Sequence, residues 1–494
     1  MRQLSNLDAQ FLALEDGRTH GHVSVLATYD PVTADGRRVD ATLIRELVEQ
    51  RLPLLPPLRW RLASVPFGLD HPYWVDHSSF DLDYHIRELA LPDPGDDRQL
   101  AEQVARIIAR PLDRSRPLWE LYVIHRLADG SVALLTKLHH AAVDGVSGAE
   151  VMGTLLDPTP DGRPASALVP VRDEAFPSEW EMLALGVTGM WRQPVRALRA
   201  GPRTLPHLDD VPTLRALPGV KAIASASRRV KRALPVNRDG GVLEGQDLVA
   251  PRTRFQGPIS AHRSVAFGSL PLSDVKTVKD RFGCTVNDVV VTVCAAALRS
   301  WLAEQGELPD QPLAAFIPIS VRTPEQRGTY GNRVSVMLAE LPTDEPDPAA
   351  RLHRVATAMN AAKARHKAMP ASLLTDANHF IPPALFARAA GVTARLAAVP
   401  AINSAVNVAI SNVPGPPETL YCGGAAQRSQ FPISGVLHGV GLNITVFSYR
   451  DQLGFGIVAD RTQLDDAWPL LDAARKALDE LAQLPGPDIS VNSA

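Results

Sequence analysis

Apolar residues recur along this chain with two different periods, and the changes between them mark its elements. HVSVLATYD (22–30) is rich in β-branched residues and predicts a strand. ATLIRELVEQRL (41–52) and RQLAEQVARIIARPL (98–112) repeat apolar positions at helical spacing. LWELYVIHRL (118–127) and SVALLTKLHH (131–140) flank ADG (128–130), a strand–turn–strand signal. After residue 261 the alternation resumes. HRSVAFGSL (262–270), AAFIPISV (314–321), VSVMLAEL (334–341), VNVAISNV (406–413), LNITVFSY (442–449) and LGFGIVAD (453–460) read as strands. TVNDVVVTVCAAALRSWLAEQG (285–306) reads as a long helix ended by Gly306, followed by helices at 347–367 and near 465–483. Residues 158–260 break the pattern, being rich in Pro, Arg, Ala and Gly with few strand signals. No repeat of fixed period appears. The expectation is a mixed α/β protein: a first half over 1–160, a connecting segment over 161–260 and a second half over 261–494.

Composition narrows the function. The 494 residues suffice for two or three domain-sized units. A net charge of −3 argues against a nucleic-acid partner, because binding to phosphates is carried by a clear excess of Lys and Arg. Cys284, Cys294 and Cys422 lie far apart without a CxxC spacing, which suggests neither a disulfide framework nor a zinc site, and so a reducing compartment. The N-terminus carries acids where a signal peptide would be apolar, and the densest apolar run, VVVTVCAAAL (289–298), is about half of the ~20 residues a transmembrane helix needs. The expectation is a protein that is soluble or sits on a membrane surface. Between Arg192 and Arg232, ten Lys or Arg face two acids. This run is either a solvated linker or a surface for anionic lipid head groups or cofactor phosphates. Trp180, Leu183, Val187, Trp191, Val195 and Leu198 interleave with charge in this region, as in an interfacial helix.

The chemistry concentrates in KLHHAAVDGVSG (137–148). The two histidines fall where a strand should end, and Ser147 with Glu150 has capping-box spacing for a helix starting near Gly148. A strand-to-helix connection is a place where rigid elements hold functional groups. Gly145 supplies a backbone geometry that a residue with Cβ resists. Imidazole, with an ordinary pKa of about 6.5, is suited to take and return a proton near neutral pH. Adjacent side chains on an extended backbone diverge, so only one histidine should reach substrate. The same divergence disfavours a metal site. The plainer alternative is a pair of hydrogen-bonded core histidines.

HHAAVDG (139–145) resembles the HHxxxDG signature of the chloramphenicol-acetyltransferase-like acyltransferases. LDAQFLALE (7–15), RPLWELYVI (116–124), TVNDVVVTVCAAALR (285–299), PISVR…GN (318–332), SNVPGP (411–416) and GLNITVFSY (441–449) are similar, in order, to blocks of one branch. That branch is the bacterial wax ester synthase/acyl-CoA:diacylglycerol acyltransferase family. The segment 158–260 matches only loosely.

The resemblance implies two acetyltransferase-like subdomains, mixed sheets with flanking helices, meeting along a central tunnel. It implies an O-acyltransferase that moves a long-chain acyl group from acyl-CoA, a co-substrate, to the hydroxyl of diacylglycerol or of a long-chain alcohol, with no further cofactor. His140 carries over as general base and His139 as its packing or hydrogen-bonding partner. Asp144 carries over as a loop-locking carboxylate paired with an arginine, for which Arg322 is the candidate. Asn287 is expected near the acyl group, although Thr285 and Asp288 make a helix-start pattern that Asn287 could merely serve. Asn443 and Thr445 are alternatives, and Glu15 and Trp119 are expected to shape the substrate site. The implied location is cytoplasmic, attached peripherally to the inner membrane leaflet or to lipid inclusions. Two other readings stay open: an enzyme taking acyl groups from a carrier protein, and a non-catalytic lipid-droplet-binding protein.

Overall fold

The computed structural model describes residues 1–77, 80–143, 145–162, 174–189, 250–320, 334–368 and 406–486. In chain order its strands are β1 (Arg2–Gln3), β2 (His22–Tyr29), β3 (Trp60–Ala63), β4 (Tyr73–Asp76), β5 (Ile86–Ala90), β6 (Trp119–His125), β7 (Val132–His139), β8 (Arg263–Pro271), β9 (Leu313–Ser320), β10 (Val334–Leu341), β11 (Val408–Val413), β12 (Tyr421–Cys422), β13 (Ala425–Ile433), β14 (Leu442–Tyr449) and β15 (Gln452–Asp460). The helices are α1 (Asn6–Ala13), α2 (Ala41–Arg51), α3 (Leu82–His85), α4 (Asp97–Ile108), α5 (Gly145–Leu155), α6 (179–189), α7 (Leu272–Phe282), α8 (Val286–Glu304), α9 (Pro348–Ala368) and α10 (Trp468–Gln483).

Two six-stranded sheets carry the architecture. The first runs β12-β13-β2-β7-β6-β5 and the second β10-β9-β11-β14-β15-β8, while β1-β4-β3 form a small third sheet. The long strands expected from the alternation are all present, with the 118–127 and 131–140 segments paired antiparallel as β6 and β7.

The second sheet is built around α8. Every side chain from Asp288 to Leu298 is buried, among Val408, Ile410, Ile444 and Val446 of the sheet. By length and composition α8 could cross a membrane, but a helix apolar all round is equally at home in a core, and most of it lies inside the protein. Its start is fixed by a capping box: Thr285 Oγ1 accepts from Asp288 N–H, and Asp288 accepts from the Thr285 backbone.

The halves interlock. β12 and β13 leave the second half and complete the first sheet, with β13 antiparallel to β2. Residues 421–433 of the expected second half therefore belong structurally to the first. The crossing strand lies against β15 at two glycines, where a Cβ would come within 2.0 Å of Gln430 O at Gly454 and 1.6 Å of Pro432 O at Gly456. No other residue permits that approach of one backbone to another. A shared core seals the junction: Val104 and Ile108 of α4, Phe267 of β8, Phe431 of β13 and Val458 of β15 pack together.

Candidate active site

β2 and β7 pair in a register that sets His22 opposite His139 and Ser24 opposite Lys137, so these four share one face of the sheet. That face looks onto the C-terminal end of α4. The last carbonyls of a helix have no partner within it and carry the negative end of its dipole. Here they are collected by side chains of the facing strands. Lys137 Nζ donates to Arg110 O (2.6 Å) and Ile107 O (3.4 Å), His22 Nε2 lies 2.9 Å from Ile108 O, and His20 Nε2 lies 3.0 Å from Ala109 O. Lys137, wholly buried, is also 3.3 Å from Glu120 Oε2. Because carbonyls only accept, both imidazoles donate through Nε2, and each Nδ1 is buried without a hydrogen-bond partner. Burial holds both pKa values below the ordinary histidine range, His22 well below.

β7 ends at His139. Its imidazole is buried, and Nδ1 accepts the Ala141 N–H at 3.0 Å, which puts the proton on Nε2. Nε2 lies 3.2 Å from Glu15 Oε1, an ion-pair distance at an angle too oblique for a hydrogen bond. Glu15 Oε1 also accepts Gly21 N–H (2.7 Å), and Oε2 accepts from Arg114 Nη2 (2.7 Å). Burial by itself would raise the Glu15 pKa. His139, Gly21 and Arg114 outweigh it and hold the carboxylate well below its usual range. Gly21 is obligatory, since a Cβ there would stand 2.9 Å from His139 Nε2.

His140 turns the other way. Its backbone N–H donates to Gly21 O at 2.7 Å, and its half-buried ring stacks on Phe11 with centroids 4.1 Å apart and planes at 16°. The LDAQFLALE segment thus seats both histidines: Phe11 against His140 and Glu15 against His139. The divergence expected from an extended backbone is present, with His139 turned inward and His140 the more accessible.

The chain then turns tightly, with Ala142 N–H donating to His139 O (3.0 Å), and enters α5. The helix begins at Gly145, three residues before the start expected from Ser147 and Glu150, which instead lie inside it. The far end of α5 is anchored by the buried Arg51–Asp157 pair at 2.6 Å. Asp144 and Arg322 lie outside the described residues, as does the basic run 192–232.

Across the interface, Asn443 and Thr445 of β14 face the first half. Thr445 Oγ1 is 2.7 Å from Asn443 Oδ1 and 2.9 Å from Ser434 Oγ. Thr445 Oγ1 is the donor at both contacts, its single proton directed to Asn443 Oδ1 or to Ser434 Oγ. Asn443 Nδ2 donates to Gly435 O at 3.2 Å. Ser434 and Gly435 in turn line, with His20, His22, Ile108 and Arg263, a narrow cavity between the halves. Asn287 belongs to a different face. It is not the cap of α8, which Thr285 and Asp288 provide, and its Oδ1 accepts from Asn412 Nδ2 at 3.3 Å. Since Asn412 pairs with Val446, it lies on the α8 side of the sheet, opposite Thr445. Asn412, within SNVPGP (411–416), is thus the partner that holds Asn287.

Trp119 is buried, its Nε1 donates to Leu58 O (2.8 Å), and its ring stacks on His85 at 4.4 Å. Its role is packing beneath the end of β7, where it pairs with Leu138. Among the described residues no group of three or more His, Cys, Asp or Glu is placed to hold a metal.

Comparison with known proteins matches this framework end to end. The family model for the wax ester synthase/diacylglycerol acyltransferase catalytic domain matches residues 4–290, and the WS/DGAT C-terminal domain model matches 330–482. The chain belongs to this family. A putative diacylglycerol O-acyltransferase of Mycobacterium tuberculosis is 36% identical over 484 residues, covering 98% of this chain and 90% of that protein. The wax ester synthase/diacylglycerol acyltransferase of Marinobacter aquaeolei VT8 superposes with a TM-score of 0.68 at 28% identity, over 98% of this chain and all of that one. The first condensation domain of the calcium-dependent antibiotic synthetase shares the fold, with a TM-score of 0.56 at 16% identity over 99% and 98% of the two chains. The two halves are therefore the two chloramphenicol-acetyltransferase-like subdomains expected from the sequence.

Proposed function

We propose that this member of the family transfers a long-chain acyl group from acyl-CoA to the hydroxyl of diacylglycerol, with long-chain alcohols as second acceptors, and that His140 is the general base. The observation that carries the reading is the unequal setting of the two histidines. His139 is buried, with Nδ1 accepting the Ala141 N–H and Nε2 3.2 Å from Glu15, whereas His140 is half-buried and its ring stacks on Phe11.

The steps balance without a covalent intermediate. The His140 imidazole takes the proton of the acceptor hydroxyl as its oxygen bonds to the thioester carbonyl carbon. The tetrahedral oxyanion then re-forms the carbonyl, the C–S bond breaks, and the imidazolium returns the proton to the CoA sulfur. The cysteines favour such direct transfer: burial raises all three thiol pKa values, to about 12 for Cys294 and Cys422, which leaves little thiolate at neutral pH. In this reading acyl-CoA is a co-substrate, no further cofactor is needed, and the two substrates meet in a tunnel between the halves. The enzyme works in the cytoplasm at the inner membrane leaflet or at lipid inclusions, held there by the cationic run 192–232.

The test is release of free CoA thiol from palmitoyl-CoA with dioleoylglycerol or hexadecanol as acceptor. Release that needs an acceptor and vanishes in His140→Ala supports the reading. Release that survives the substitution removes His140 as base, and no release with either acceptor overturns the acyl-CoA assignment.

A further inference from the structure

The small sheet β1-β4-β3 carries α6 on its surface, and α6 is apolar on two opposite stripes. One stripe is covered: Met182 is buried with Ala63, Val65 and Val75, and Leu185 packs against them. The helix sits flush, for a Cβ on Gly186 would stand 2.6 Å from Val65 Cγ1 and one on Gly189 2.1 Å from Asp70 Oδ2. The other stripe, Trp180, Leu183, Ala184 and Val187, follows the i, i+3, i+4, i+7 spacing of a single helix face and points away from the sheet. Trp180 is 80% exposed.

The turn between β3 and β4 adds a second aromatic. Phe67, 81% exposed, has φ 58° and is followed by Gly68 at φ 64°. Two successive left-handed residues suit Asn-Gly or Gly-Gly, and an aromatic there is strained with no packing to compensate for it. Val65 and Leu69, which bracket this turn, pack against Gly186 on the covered side of α6, so the turn and the helix are held together.

We infer that the outer stripe of α6 and the Phe67 tip form the face by which the protein inserts into a lipid surface bearing anionic head groups. The choice of partner rests on the acyltransferase reading, whose acceptors are lipids. Glu174, paired with the Met1 ammonium at 2.5 Å, Glu179 and Glu181 border the patch, with Arg61 4.2 Å over the Phe176 ring, so the supporting positive charge is that of the sequence after α6. The chain passes from α6 almost directly into the run of ten Lys or Arg and two acids. Aromatic side chains enter the head-group boundary while such a run is attracted to anionic lipid.

The experiment compares the full-length protein with the Phe67→Ser/Trp180→Ser variant by flotation with vesicles of phosphatidylcholine, alone or with one quarter phosphatidylglycerol. Loss of two inserted aromatics should lower partitioning at least about tenfold on both vesicles. CoA release with hexanol, an acceptor dissolved as monomers, should stay within about twofold, since neither residue touches the histidines. Brominated phosphatidylcholine should quench Trp180, read as wild type minus Trp180→Phe, and Trp180→Phe should retain most binding. Unchanged partitioning, or no quenching attributable to Trp180, overturns the inference. So does a change of oligomeric state in place of lost vesicle binding, which would assign the face to a second copy. Absence of hexanol turnover in the wild type, beside flotation that the double variant loses, would indict the acyltransferase reading and leave this one standing.

Discussion

The two large sheets treat polar groups in opposite ways. Behind the second sheet, the face toward α8 is apolar throughout its middle, with Val408, Ile410, Ile444 and Val446 against the helix and the Asn287–Asn412 contact at one end. Behind the first sheet, the face toward α4 buries a lysine, a glutamate and three histidines around a helix terminus. Burying such groups is costly unless each is hydrogen-bonded, and the apolar alternative is fully available in the same fold. The difference sets the surroundings of the histidine pair apart. One half is a hydrophobic frame, and the other holds a polar interior that fixes the ends of β2 and β7 and with them the histidine pair.

The largest effect expected is kinetic. His140→Ala should lower acyl transfer by about 100- to 10,000-fold. Thermal stability should change little, because the ring is only half-buried. His139→Ala, which removes a buried ring whose Nδ1 accepts the Ala141 N–H, should instead lower the melting temperature as well as the rate. Equal stability losses in the two variants would erase the distinction between a positioned base and a structural partner.

Lys137→Met comes next. It leaves Glu120 buried and the Arg110 and Ile107 carbonyls without their donor, an expected loss of about 3–5 kcal/mol in chemical denaturation. Ile444→Ala in the second sheet should cost a similar ~2–5 kcal/mol through an unfilled cavity. The comparison sharpens with a second substitution. Adding Glu120→Leu should recover part of the Lys137→Met loss, because it removes the buried carboxylate left with only Tyr122 and Arg87, whereas no polar partner exists to rescue Ile444→Ala.

How much of this was legible beforehand follows the same division. The second sheet and α8 could be read from periodicity, since long apolar runs need only a core. The small third sheet was not read, because WRLA (60–63) and YWVD (73–76) are too short to establish a period. β13 escaped as well: AAQRSQFPI does not alternate, contains Pro432, and pairs with a strand some 400 residues away. The histidine pair was legible as a motif, and its divergence followed from strand geometry. The network around it was not, because Glu15, Lys137 and the α4 carbonyls meet only through tertiary contacts. Trp119 was legible only as part of a motif block, and the burial of its indole against Leu58 O and His85 arises from tertiary packing.

Acid should expose the polar half first. The Glu15 pKa is lower folded than its ordinary 4.5, so the folded state binds fewer protons there. Its stabilisation is complete above pH 4.5 and is lost as pH falls toward the folded value. His20 and His22, held below 6.5, have the same sign: full stability above pH 6.5, declining below it. Wild-type stability should therefore fall from pH 7.5 to 5. His22→Gln, which keeps a donor for Ile108 O but cannot titrate, should flatten that slope. Glu15→Gln should cost about 2 kcal/mol at pH 7 and nothing further as pH falls below 4.5. A His22→Gln profile as steep as wild type would place the acid sensitivity elsewhere.

The smallest differences test the interface. Thr445→Val breaks a chain in which Ser434, Thr445, Asn443 and Gly435 each satisfy the next, and it strands Asn443 Oδ1 and the Ser434 hydroxyl near the cavity lined by His20 and His22. An expected cost of about 1–3 kcal/mol follows from leaving buried polar groups unpaired. Asn287→Ala removes one long contact, to Asn412 on the opposite face, and should cost only about 0.5–1.5 kcal/mol. The two residues share no partner, so the double variant should lose the sum of the single losses. A deviation beyond about 0.5 kcal/mol would mean that the α8 face and the histidine-side face of the second sheet communicate through β11 and β14, and the frame would then be part of the site it supports.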